Sequence, residues 1–286
     1  PRQSVTLRTT VDLFQAGWLT PASNMTQANG LTFHTRIDGP DNAPWIVLSN
    51  SLGSNLSMWD GQIPLLTRKY RVLRYDHRGH GQTEAPPGPY TWEQLAGDVI
   101  ALMDSLGIER ADWLGLSMGG MTGMGLAIHH GDRFGRLILA DFRADAPAEY
   151  QSMWDQRIAT IREHGLSGIA DGILEMWLNP SWRAENPARM AAVRDTLIHT
   201  DPVGYIGCCE ALRTLDYLKD AGSLTNPVLC LTGSDDPTAA PDTVRAVAEA
   251  IPGARYVEIL GARHISNIDS EAAFNAAIAE DLGLPA

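Results

Sequence analysis

The sequence predicts an α/β fold, with a largely parallel sheet flanked by helices and a helical insertion between two of its strands. Three observations carry this reading. From residue 31 onward, short apolar runs alternate with stretches of helical period, the rhythm of strand–helix–strand crossovers in a parallel sheet. The apolar runs are continuous rather than alternating, as strands covered on both faces require. The rhythm breaks over residues 143–219, where helical patterns and Trp154, Trp177 and Trp182 occur without a clear strand.

The elements follow in chain order. Residues 1–24 read as an N-terminal arm or leader. They hold Arg2, Arg8, a single acid (Asp12) and many Ser, Thr and Gln, and lack the apolar core of a signal peptide. A helical turn is expected over 11–18, and Met25 reads like the start of the domain. Residues 45–48 (Trp-Ile-Val-Leu) and 71–75 are strands. Thr91 and Gln94 form a capping box that opens a helix, with Leu95, Val99, Leu102, Met103 and Leu106 on one face and Gly107 as its end signal. A strand at 112–116, a helix at 118–130 and a strand at 137–140 come next. Strands at 228–232 and 256–260 and a helix at 271–282 close the chain. No internal repeat or low-complexity tract interrupts it.

Composition excludes several classes. Of 286 residues, 22 are Lys or Arg and 34 are Asp or Glu, a formal net charge of −12, which repels a phosphate backbone and argues against nucleic acid as a partner. The longest apolar runs are of strand length, short of the roughly 18 residues that a membrane helix needs. Cys208 and Cys209 are adjacent and Cys230 makes the number odd, so no disulfide framework is expected. No Cys/His spacing suits zinc, and His129 and His130, neighbours on a helix, diverge by about 100°. A reducing, cytoplasmic setting fits. Homo-oligomerisation is left open.

The chemistry centres on Gly115-Leu-Ser117-Met-Gly119-Gly120. It follows an apolar strand and opens a helix, the context of a nucleophile elbow. Flanking side chains larger than hydrogen would collide with strand and helix in so sharp a turn. The following helix aims its positive end at a developing oxyanion. A serine needs a base, and His264, in a loop just past the last predicted strand, is the candidate. The orienting acid should follow the preceding strand. In Thr232-Gly-Ser-Asp235-Asp236-Pro237 the choice is Asp236, with Asp235 as the alternative. The chain order is Ser117, Asp236, His264. One oxyanion donor is the N–H of Met118. The other belongs in the loop after the 45–48 strand, Ser49-Asn-Ser-Leu-Gly-Ser54, and Leu52 is its candidate. His77 and His80 sit in Asp76-His-Arg-Gly-His-Gly81, which reads as a structural loop with Asp76 and Arg78 able to pair locally.

These segments resemble the α/β-hydrolase fold superfamily, over roughly residues 28–284. The elbow, the Asp-His-Arg-Gly-His-Gly loop and the histidine are shared superfamily-wide. Ser49-Asn-Ser-Leu-Gly53 and His264-Ile-Ser-Asn267 are similar to the 3-oxoadipate enol-lactonases. The resemblance implies an eight-stranded, mostly parallel sheet with a helical cap over about 143–215, inserted after the sixth strand, between core segments 25–142 and 216–286. It implies hydrolysis of an ester or lactone through an acyl-serine, with Ser117 as nucleophile, Asp236 as acid, His264 as base and Leu52 and Met118 at the oxyanion, and with no metal or organic cofactor.

A 3-oxoadipate enol-lactone bears a free carboxylate, which a cation should meet. Arg143 is the candidate at the start of the cap, and Trp154 and Trp177 are candidates to line the pocket. A carboxylesterase, another lactonase, a perhydrolase or a C–C hydrolase would share the same three residues, and a non-catalytic binder is the reading from a different class.

Overall fold

The computed structural model describes residues 23–285. The helical turn expected over 11–18 lies outside them. The sheet begins two residues before Met25: β1 (Ser23–Ala28) pairs antiparallel with β2 (Leu31–Asp38), Ala28 facing Leu31. Asn29 and Gly30 form the turn at φ 48° and 75°. Both residues of such a two-residue hairpin loop need positive φ, and Asn-Gly supplies it at little steric cost. This was the strongest local signal that the strand-by-strand reading of the chain passed over.

The chain continues through β3 (Trp45–Ser49), α1 (Ile63–Leu66), β4 (Arg71–Tyr75), α2 (Trp92–Ser105), β5 (Ala111–Leu116), α3 (Met118–His130) and β6 (Phe134–Ala140). Helices α4 (Ala148–His164), α5 (Ser167–Trp177), α6 (Pro180–Glu185), α7 (Pro187–Ile198) and α8 (Pro202–Leu212) then intervene before β7 (Val228–Gly233). The chain closes with α9 (Pro241–Ala250), β8 (Arg255–Ile259), α10 (Ser266–Asp269) and α11 (Glu271–Leu282). Leu260, expected within the last strand, lies past its end and is 84% exposed.

Among the described residues the strands form one eight-stranded sheet in the order β1-β2-β4-β3-β5-β6-β7-β8. The β1–β2 and β2–β4 pairs are antiparallel and the others parallel. β7 is buried along its whole length, and β3 in all but its first residue, which accounts for their unbroken apolar runs. The capping box at the start of α2 forms as expected, and Gly107 follows the helix at φ 67°.

The chain leaves β3 toward β4 on one side and returns to β5 on the other, so the sheet reverses its winding between β3 and β5. Ligands of open α/β sheets bind at the carboxyl ends of strands at such a point. Here Ser49, ending β3, pairs in register with Gly115 of β5.

The helical insertion has a narrow base. Asp145 and Asp216 form an antiparallel bridge, and the N–H groups of Tyr217 and Leu218 donate to Ala144 O at 2.8 and 2.9 Å. Its last helix, α8, rests on the loop after β4. A Cβ on Gly79 would stand 2.2 Å from Gly204 Cα, so the two backbones meet where no side chain fits. The local Asp76–Arg78 pair expected in this loop does not form. Arg78 instead forks onto Asp98 of α2, with both contacts at 2.6 Å, while Asp76 holds His34 Nδ1 at 2.6 Å and accepts the Leu56 N–H at 2.7 Å. Two neighbouring residues on a tight turn face different elements, and each buried charge takes the partner in front of it.

Candidate active site

Ser117 sits between β5 and α3 at φ 56°, ψ −114°, a region that side-chain-bearing residues rarely occupy. The glycines around it are sterically required. A Cβ on Gly115 would lie 2.2 Å from Gly119 O, and one on Gly119 would lie 2.1 Å from Ser49 O. The Ser117 N–H donates to Ala140 O at 2.8 Å, tying the turn to the end of β6. Ser117 is 8% exposed.

His264 reaches this serine from the loop after β8. Its Nε2 lies 2.9 Å from Ser117 Oγ and its Nδ1 lies 2.8 Å from Asp236 Oδ2. Asp236 Oδ1 accepts the N–H groups of Thr238 and Ala239 at 2.7 and 3.1 Å. All carboxylate positions of Asp236 are thus aimed, and the imidazole receives a fixed acceptor. Asp235 is exposed and accepts the Ser234 hydroxyl instead. Burial works against a charged imidazole at His264, but the charge and hydrogen bond of Asp236 outweigh it and hold the pKa above the ordinary histidine value.

Leu52 is buried in the β3 loop, and Met118 is buried at the start of α3, next in the chain to Ser117. Among the described residues neither backbone N–H has a hydrogen-bond acceptor. The β3 loop is held from below. Asn50 donates to Tyr75 O at 2.8 Å and accepts the Trp59 indole N–H at 2.9 Å, and Ser54 Oγ donates to Ser51 O at 2.7 Å.

His77 and His80 are buried in the loop after β4, with Ser49, Asn50 and Arg78 as their hydrogen-bond partners. His77 Nε2 lies 3.2 Å from Ser49 Oγ, and burial together with the His80 and Arg78 charges pushes its pKa down to about 3.

The His264-Ile-Ser-Asn267 segment acts as a brace. Asn267 Nδ2 donates to Met58 O at 2.8 Å, fastening the histidine loop beside the β3 loop. Ser266 Oγ donates to Asp141 Oδ2 at 2.5 Å, while Asp141 Oδ1 accepts the Gly233 N–H at 2.9 Å. Asp141, at φ 48°, therefore joins the ends of β6, β7 and the histidine loop. Burial, then the nearby Asp236 charge, raise its pKa well above the carboxylate range. The sequence held no local signal for this residue, because its partners are some 90 and 125 positions away.

The expected cap residues divide. Trp177 meets the site: its ring lies 3.5 Å from the place of a Gly53 Cβ, and its carbonyl accepts the Ile265 N–H at 3.0 Å. It also lines a cleft of about 180 Å³ with Gly53, Met58, Val193 and Ile265; Ser117 is not among the lining residues. Arg143 is committed elsewhere. It donates to Asp145 O and Oδ1 at 2.7 and 3.1 Å and lies 4.2 Å from the Tyr150 ring centre. Trp154, 4% exposed, packs edge-on against Tyr150 and carries Arg157 over its face at 4.5 Å.

Among the described residues no group of three or more His, Cys, Asp or Glu side chains is placed to hold a metal ion, and no helix is long and apolar enough to cross a membrane.

The family model described as the alpha/beta hydrolase fold matches residues 44–271. The chain belongs to the α/β hydrolase fold family. This hydrolase is 40% identical over 240 residues to 3-oxoadipate enol-lactonase 2 of Acinetobacter baylyi, covering 84% of this chain and 89% of that one. It is 32% identical to 3-oxoadipate enol-lactonase 1 of the same organism, over 87% of this chain and 92% of the relative. Among solved structures it is similar to the enol-lactonase from Burkholderia xenovorans, with a TM-score of 0.86 and 46% identity over 90% of this chain and 98% of the other.

Proposed function

We propose that this hydrolase opens 3-oxoadipate enol-lactone, or a close carboxylated enol-lactone, through an acyl-serine. The observation that carries the reading is the continuous contact from Ser117 Oγ to His264 Nε2 and from His264 Nδ1 to Asp236 Oδ2, at 2.9 and 2.8 Å, on a serine held at positive φ. The choice of lactone is supported by the names of the similar enol-lactonases.

In the proposed cycle, His264 Nε2 takes the Ser117 proton as Oγ attacks the lactone carbonyl carbon. The tetrahedral oxyanion takes hydrogen bonds from the N–H groups of Leu52 and Met118. The ring C–O bond breaks, and the enol oxygen leaves with the proton from His264. The enol then tautomerises to the ketone, which draws acylation forward. His264 next deprotonates a water, which attacks the acyl carbon. The C–Oγ bond breaks, the carboxylate leaves, and the proton returns to Ser117. Asp236 holds the imidazole in the acting tautomer throughout. The helical insertion over about 143–215 serves as a cap over the serine, and no cofactor takes part.

The test is loss of the enol-ester ultraviolet absorbance with wild type and Ser117→Ala, beside a short-chain aryl ester. Wild type should reach a kcat/KM of about 10⁴ M⁻¹s⁻¹ or more on the enol-lactone, with the ester far poorer. Ser117→Ala should fold normally, lose about 10⁴-fold or more, and form no fluorophosphonate adduct. Good ester turnover beside an inert enol-lactone would refute the substrate. An active Ser117→Ala, or a wild type that takes no label, would refute the mechanism.

A further inference from the structure

The tip of the β3 loop takes its place from the insertion above it. Among the described residues no hydrogen bond reaches Leu52 or Gly53. The turn beneath them is closed by Ser54, whose N–H and Oγ both donate to Ser51 O, at 3.3 and 2.7 Å. Gly53 stands at φ 73°, and three side chains of the insertion converge on it. A Cβ there would lie 2.6 Å from Leu197 Cδ1 of α7, 2.9 Å from Tyr205 Cε2 of α8 and 3.5 Å from Trp177 Cη2 of α5. Leu197 and Tyr205 are fully buried. The roof over the loop is packed until only a hydrogen fits, and a backbone tip without hydrogen bonds is located by what packs against it.

The same roof is fastened to the histidine loop. Trp177 O accepts the N–H of Ile265, the residue after His264, at 3.0 Å. Just past the end of α5, Asn179 donates its N–H to Asp269 Oδ2 at 3.0 Å and its Nδ2 to Gly261 O at 2.8 Å. Arg189 ties α7 to Glu271 of α11 at 2.7 Å. The end of α5 therefore meets the tip of the β3 loop on one side and the loop of the base on the other, and one support serves both.

We propose that Leu197, Tyr205 and Trp177 are positioning residues for the oxyanion: seated on Gly53, they hold the Leu52 N–H where the tetrahedral oxygen forms. The insertion then contributes to the transition state and does not only shape the substrate pocket. This rests on the acyl-serine reading with Leu52 as a donor. Removing one oxyanion donor costs about 10²–10³-fold in kcat, and misplacing a reacting group by about 1 Å can cost about 10²-fold. A tip that shifts when its roof is thinned forfeits part of that.

Leu197→Ala removes the methyl that closes on Gly53. Its kcat should fall about 10–100-fold, with KM within about twofold of wild type. The factor should be the same on 3-oxoadipate enol-lactone and on a short-chain aryl ester, because the oxyanion is common to both and the rest of the two substrates is not. Fluorophosphonate labelling of Ser117 should slow in step, since the phosphonyl oxygen uses the same donors. Leu197→Met, of similar volume, should recover most of the rate. Leu197→Val is the smaller truncation, for use if Leu197→Ala does not fold, and should lose less in the same pattern. A loss confined to KM or to one substrate, or labelling unchanged within about twofold, overturns the proposal. If wild type takes label and cleaves the ester but not the enol-lactone, the substrate reading fails, and the ester and labelling rates still decide the role of Leu197. A wild type that takes no label refutes the acyl-serine reading and the oxyanion role of the insertion with it.

Discussion

Replacing Asp236 by Asn tests the site at the atom that orients its base. In the native arrangement Asp236 Oδ1 accepts two backbone N–H groups, from Thr238 and Ala239, and Oδ2 faces His264 Nδ1. An asparagine must keep its carbonyl oxygen where Oδ1 is. The flipped amide would press its NH₂ against two N–H donors and strand both, at about 1–3 kcal/mol each. The NH₂ therefore turns to His264 and donates to Nδ1, and the imidazole proton moves to Nε2. That nitrogen is 2.9 Å from Ser117 Oγ and now donates where it should accept. The expected loss in kcat is about 10⁴-fold, or roughly 5.5 kcal/mol at about 1.4 kcal/mol per decade. A second effect has a definite sign. In wild type the imidazole pKa is raised, so activity falls as pH drops through that raised value, because a protonated His264 cannot accept the serine proton. Without the Asp236 charge, the largest opposition to burial is gone, and the acid limb of the residual activity moves to lower pH. The assay is kcat/KM on the enol-lactone across about pH 5 to 9, with Asp235→Asn in parallel. Asp235 is exposed, and its variant should stay within about twofold of wild type. Asp236→Asn retaining more than about a tenth of the activity, or Asp235→Asn losing as much, would refute the reasoning.

Two further outcomes concern the scaffold. Gly119→Ala places a Cβ 2.1 Å from Ser49 O, a backbone atom that cannot swing aside. It should cost about 2–4 kcal/mol in urea unfolding and depress turnover, because Ser49 ends the strand that carries the Leu52 loop. Asp141→Asn should flatten the pH dependence of stability. A carboxyl whose folded pKa is raised binds its proton more tightly when folded, so wild-type stability declines as pH rises from the ordinary carboxylate range through the raised value. The variant should therefore gain on wild type in urea midpoint between about pH 5 and pH 8, and an unchanged difference across that span would count against a neutral Asp141.

Much of the frame was legible because it depends on chain neighbours. The unbroken runs of β3 and β7 announce strands buried on both faces, Thr91 and Gln94 cap α2 within one helical turn, and Gly115 and Gly119 are needed by atoms a few residues away or at the adjacent strand end. The β1–β2 hairpin was equally local, in Asn29-Gly30, and went unread because its strands are half polar at the sheet edge. Resemblance, rather than periodicity, supplied the eight strands and the cap.

The sequence by itself therefore determined the parallel α/β frame, the elbow at Ser117 and the order in which serine, acid and histidine arrive, since sterics and periodicity act between residues near in the chain. Only the tertiary structure decided which charges meet. It set Asp236 and not Asp235 on His264, sent Arg78 to Asp98 and Asp76 to His34, tied Asp141 to Gly233 and Ser266, and gave Arg143 to Asp145. Electrostatic partners act through space over a few ångströms, and most of these pairs are 20 to 125 residues apart in the chain, so the packing of strands, loops and insertion chooses them.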